Sequence, residues 1–152
     1  MSRETDFPNL SPDGWRQCSQ PDQRYNCVAF AAGRTDVYWW PDPFPDPFND
    51  YWPPGLPREE TIDAIAELYI SLGYEPCADA ASEPGYEKVA LYANGTDPTH
   101  AARQLPDGRW LSKLGPQEDI EHGSLDDLTG PSYGQVARIL KRPVVGTVPR
   151  AG

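Results

Sequence analysis

The sequence predicts an α+β domain: a buried helix carrying a cysteine and a second, amphipathic helix, both packed on a four-stranded antiparallel sheet. Three observations predict it. An unbroken apolar run, Val28 to Ala32, sits between Asn26 and Gly33. Apolar residues recur at helical spacing from Ile62 to Leu72, and from Tyr86 onward the pattern changes to two-residue alternation broken by turn residues. Helices early and antiparallel strands late are the order of an α+β chain. At 152 residues the chain is one domain with room for a core. We divide it into an N-terminal arm (1–24), the domain proper (25–142) and a C-terminal tail (143–152).

Composition narrows the function classes. Eighteen prolines and 13 glycines imply much irregular chain, while five Trp, eight Tyr and four Phe supply enough apolar surface to fold. A net charge of −10 argues against nucleic acid, whose phosphates need a basic face. No stretch approaches the roughly 18 apolar residues of a membrane span, and Met1 to Asp6 lacks signal-peptide character. Three cysteines without CxxC spacing read as free thiols in the cytoplasm. No Gly-rich phosphate loop, G-x-S-x-G or short metal-ligand spacing is present, so neither a cofactor nor a metal is expected.

Element by element, residues 1–24 are polar and turn-rich, with Trp15 as an anchor onto the domain. Asn26 is placed to cap a helix, Cys27 falls in its first turn and Gly33 can close it. Residues 34–57 form an aromatic and proline-rich loop containing Trp39 and Trp40, read either as a wall beside a cleft or as a cover for the core. Pro57 opens the second helix, Glu59 and Glu60 lie in its first turn, and Gly73 ends it. Strands follow over Tyr86–Ala93, Thr99–Leu105, Arg109–Leu114 and Gln135–Leu140, with one helical turn at Ser124–Leu128. The three-residue turn Pro106-Asp107-Gly108 sets Gln104 opposite Trp110 and Ala102 opposite Ser112. His100, Ala102, Gln104, Trp110 and Ser112 then share one face of the sheet.

The candidate chemistry is nucleophilic. Free amides at a helix start favour thiolate, so Cys27 is the candidate nucleophile. His100, opening the second strand, is the candidate base, since a thiol needs an imidazole within reach to take its proton. Gln104, Asp119, Glu121 and Ser112 are candidates to orient the imidazole. The Cys27 amide and one upstream glutamine (Gln17, Gln20 or Gln23, with Gln23 nearest) are candidates for an oxyanion hole. Trp39, Trp40, Trp110 and Ser112 are candidate substrate contacts. His122 reads as a surface residue.

The blocks Tyr25-Asn26-Cys27, Thr99-His100-Ala101-Ala102-Arg103-Gln104, Ser112-Lys113-Leu114-Gly115 and Asp119-Ile120-Glu121-His122 resemble those of a bacterial domain family sharing this order. In layout the chain is similar to papain-like thiol hydrolases of the NlpC/P60 and CHAP kind, with a helix-borne Cys followed by a strand-borne His. That resemblance implies a papain-like fold, with Cys27 as nucleophile and His100 as base. The expected function is a cysteine hydrolase, a peptidase or amidase cleaving an amide bond in a peptide or protein substrate. The alternative is a non-catalytic peptide- or glycan-binding module with a buried, structural Cys27.

Overall fold

The structure is a computed structural model that describes residues 7–10, 14–22, 24–35, 39–41, 52–114 and 118–144. Its elements in chain order are β1 (Trp15–Gln17), α1 (Cys27–Ala31), α2 (Ile62–Ser71), β2 (Glu75–Pro76), β3 (Tyr86–Asn94), β4 (Asp97–Gln104), β5 (Trp110–Lys113), β6 (Asp119–His122), a 3-10 turn (Leu125–Leu128) and β7 (Gln135–Pro143). Among the described residues all seven strands form one sheet, in the order β1-β6-β5-β4-β3-β7-β2, with every neighbouring pair antiparallel.

This corrects the expected class. The protein is mainly β, with two short helices on a seven-stranded sheet, and not an α+β, papain-like fold on four strands. The three additional strands are two to four residues long, too short to display a two-residue alternation. One of them, β1, lies in the segment read as an arm. Trp15 to Gln17 pairs with β6, and Phe7 and Leu10 are buried in the core.

The sheet has a core on each face. Val89, Leu91 and Ala93 of β3 point to the first, with Ala101 of β4, both helices, Trp39 and Trp52. Ala90 and Tyr92 point to the second, with Ala102, Trp110, Ile120, Phe7, Leu10 and Leu128. α1 lies over β4 and β5, and α2 over β3, β4 and β7. The helix α2 begins later than expected because Thr61 caps it: its backbone is extended and its Oγ1 accepts from the Ala64 amide at 3.2 Å. Glu59 and Glu60 therefore precede the helix. Ile65, Leu68 and Tyr69 are buried from this helix, each contributing about 1.5–3 kcal/mol by burial. The Tyr69 hydroxyl also donates to the Val28 carbonyl at 2.6 Å, tying α2 to α1.

The second face is closed by loops. The Tyr92 hydroxyl donates to the Leu125 carbonyl at 2.6 Å, and Ser124 and Asp127 cap the 3-10 turn reciprocally. Residues 77–84 cross the sheet near its end, held by the fully buried Lys88. Its ammonium donates to the Asp79 carbonyl at 2.9 Å and lies 3.0 Å from Glu83 Oε1. The Thr99 hydroxyl donates to the Tyr133 carbonyl at 2.5 Å, and a small loop closed by paired Gly130 and Gly134 presents Tyr133 to β4.

Gly134 and Gly55 separate two effects of a left-handed glycine. Both have positive φ (74° and 88°), but a Cβ on Gly134 would run into the Ala93 carbonyl and the Asn94 side chain, whereas one on Gly55 meets nothing. Gly55→Ala is expected to lower stability by about 1–2 kcal/mol, the backbone cost alone. Gly134→Ala is expected to cost at least about 3 kcal/mol, as overpacking adds to it. Urea unfolding of the two variants checks this, and equal losses would contradict the described contact.

Candidate functional site

Asn26 does cap α1. Its Oδ1 accepts from the Ala29 amide at 3.2 Å and from the Trp39 amide at 3.1 Å, while its Nδ2 donates to the Trp39 carbonyl at 2.8 Å. The cap thus also clamps the aromatic stretch to the helix. Cys27 follows in the first turn, but in a helix of five residues and within the first core. Burial pushes its thiol up to about 11, outweighing the amide donors of Ala101, Val28 and Cys27 itself and the charge of Lys113. At neutral pH it is a thiol.

His100 lies on the other face. Successive β4 side chains alternate, so Ala101 meets α1 while His100 and Ala102 meet the second core. The imidazole stacks on Tyr133 with centroids 4.2 Å apart and planes 6° apart, and it meets the edge of Tyr92 at 5.3 Å. Neither ring nitrogen has a hydrogen-bond partner. Burial, and after it the neighbouring His122, holds its pKa well below the usual range, so the ring is neutral. The sheet itself stands between Cys27 and His100.

The hairpin register is as expected, with Ala102 opposite Ser112 and Gln104 opposite Trp110. Gln104 is buried, and its Nε2 donates to the Ala80 carbonyl at 2.7 Å, so it fastens the 77–84 loop and orients no imidazole. Trp110 is core. Ser112 is fully buried and bonded to His122 Nε2 at 2.8 Å. His122 Nδ1 faces the Ser124 carbonyl at 3.0 Å and must donate to it, so Nε2 accepts from Ser112. His122 is therefore interior, contrary to the surface reading; its place beside Ser112 follows from β6, the strand the sequence did not reveal.

Asp119 falls on the side of α1 and not with His100. Tyr25 donates to Asp119 Oδ2 at 3.2 Å, and Oδ1 has no partner. Tyr25 also lies under Lys113, whose ammonium is 4.6 Å from the ring centroid and donates to the Asp22 carbonyl. Burial lowers the Lys113 pKa, against Asp22, Asp119 and Cys27, which raise it. Lys113 is the buried amine on this side, and sequence reasoning gave it no role there. Glu121 pairs with Arg16 and Arg109 instead.

Trp39 is buried in the first core, and Trp40 is half-buried with its Nε1 donating to Glu60 at 3.0 Å. Gln17 and Gln20 are exposed, while Gln23 lies outside the described residues, as do 36–38 and 42–51 of the aromatic stretch. Among the described residues no three His, Cys, Asp or Glu are grouped to hold a metal, and no helix is long and apolar enough to cross a membrane.

The open site is elsewhere. β3 and β4 pair from Asn94/Asp97 back to Val89/Arg103 and then stop. Beyond that point Tyr86, Glu87 and Lys88 pair only with β7, and Gln104 only with β5. The fork between them holds a pocket of about 510 Å3, bounded by Tyr86, Glu87, Arg103, Gln104, Leu105 and the loop from Ser82 to Gly85. Ser82 Oγ donates to the Pro106 carbonyl at 3.3 Å, joining loop to hairpin across one side of the fork. Turn residues at 84–85 and 106–108 mark its rim in the sequence, but only the strand register shows that pairing ends between them.

A family model described as Domain of unknown function (DUF7689) matches residues 16–141. No curated protein and no solved structure matches the chain.

Two measurements check these environments. With a maleimide at pH 7, exposed Cys18 is expected to label at once and Cys27 only after unfolding; rapid native labelling of Cys27 would contradict the raised pKa. His100 has a folded pKa below its unfolded value of about 6.5. Its neutral form therefore contributes fully above about pH 6.5, and stability falls as protons bind the unfolded state below it. The urea midpoint is expected to drop from pH 7.5 to 5.5, and to drop less in His100→Phe; identical drops would count against a buried neutral ring.

Proposed function

The chain belongs to that family, whose description names no activity, and we propose from its own residues that it is a non-catalytic peptide-binding module. The observation that carries this reading is the fork between β3 and β4, where their ladder ends and a pocket of about 510 Å3 opens. That volume lies in the range of small-ligand sites. Few backbone groups are free there, since the Tyr86 amide donates to the Glu83 carbonyl and the Pro106 carbonyl accepts from Ser82, so a short peptide would be held mainly through the side chains around the pocket. A glycan is less well matched, because Trp39 and Trp52 are committed to the core and offer no stacking face.

Cys27 and His100 on opposite faces remove the support for amide hydrolysis by a Cys–His pair. A buried thiol with a pKa near 11 and a neutral imidazole with no partner suit structural roles. The three cysteines are unpaired, which supports placing the protein in a reducing cytoplasm.

The test offers the full chain a pool of hexapeptides and measures capture and integrity of the peptides by mass spectrometry. Retained, uncleaved peptides are expected, with Cys27→Ala binding within about two-fold of wild type, since an interior packing change leaves the fork untouched. Cleavage lost in Cys27→Ala would restore the hydrolase reading, and no retention at all would remove the binding one.

A further inference from the structure

We infer that the pocket at the fork selects a peptide bearing a carboxylate, received by the Arg103 guanidinium. This rests on the peptide-binding reading and adds the ligand's chemistry. It follows from how the charges lining the fork are used. Glu83 has the ammonium of Lys88 3.0 Å from one oxygen and that of Lys141 3.0 Å from the other. Glu87 accepts from Arg142 Nε at 2.6 Å. Glu83 is thus held between two ammoniums, and Glu87 is engaged by Arg142 and only 15% exposed, so a basic ligand side chain finds little free carboxylate.

Arg103 is the opposite case. Its guanidinium reaches Glu87 only at 4.0 Å, the limit of an ion pair, and its side chain is 38% exposed. A planar fork of donors so loosely engaged suits a carboxylate, which can take two of them at once. The pinned contacts from Gln104 to Ala80 and from Ser82 to Pro106 hold the wall in place before binding. Non-specific attraction cannot produce this preference, because a net charge of −10 favours basic peptides.

A carboxylate can come from an acidic side chain or from a C-terminus, and the probes separate the two. Hexapeptide pools are made as C-terminal amides with one Asp or Glu, as free acids without acidic residues, as neutral amides, and as amides with one Lys. Each is titrated into the 15N-labelled full chain. Shifts of the Tyr86–Lys88 and Gln104–Leu105 amides are expected with one or both carboxylate pools, at about ten-fold tighter affinity than the neutral amides. The pool that binds identifies the source. Arg103→Gln is expected to erase that ratio, Arg103→Lys to restore it in part, and Arg138→Gln, remote from the fork, to leave it unchanged. Fork shifts of equal affinity from neutral amides would overturn the carboxylate preference and keep the peptide reading. No fork shifts from any pool would overturn both.

Discussion

The structure depends on β3 being paired along both edges and buried on both faces. β7 lies along one side from Tyr86 to Ala93, and β4 along the other from Val89 to Asn94. Val89 and Leu91 serve one core, Ala90 and Tyr92 the other, and all four are fully buried. A strand in this position cannot shift by one residue without exchanging every side chain between the two cores. That fixes β4 in turn, and with it the assignment of Ala101 to α1 and of His100 to Tyr133.

The local parts of this arrangement were legible in the sequence. Asn26 caps α1 as its side chain predicts, and Pro106-Asp107-Gly108 sets the hairpin register through Gln104 and Trp110. What the sequence did not show was the face on which His100 falls relative to Cys27. Thr99-His100-Ala101-Ala102-Arg103-Gln104 has a small apolar residue on each side of the strand, since both sides are buried, so its pattern does not say which face α1 covers. The class was missed for a related reason. β1, β2 and β6 are held by pairing with neighbours and, in β6, by burial of Ile120 and His122 on one face and Asp119 on the other, neither of which is a local signal.

Buried polar groups are concentrated where irregular chain must be attached to the sheet. Lys88 and Gln104 hold the 77–84 loop through the carbonyls of Asp79 and Ala80, Ser112 and His122 reach the start of the 3-10 turn, and Lys113 reaches the Asp22 carbonyl. Each ties a proline- or glycine-bearing segment that has no ladder of its own. Removing one partner would leave a desolvated donor, which costs more than the bond contributes. In a chain with 18 prolines, such side-chain anchors take over part of the work that regular secondary structure does elsewhere.

The outer rims of the sheet are β1, with three residues, and β2, with two residues of which one is Pro76. Strands this short, one of them lacking a donor, offer little template for edge-to-edge assembly. The β3–β4 ladder ends inside the sheet, where β7 and β5 continue on either side and the Tyr86 amide and Pro106 carbonyl are already bonded to Glu83 and Ser82. Among the described residues, an incoming strand therefore finds no long run of free donors and acceptors at the rims or at the fork, and a sheet built this way is protected from fibre growth.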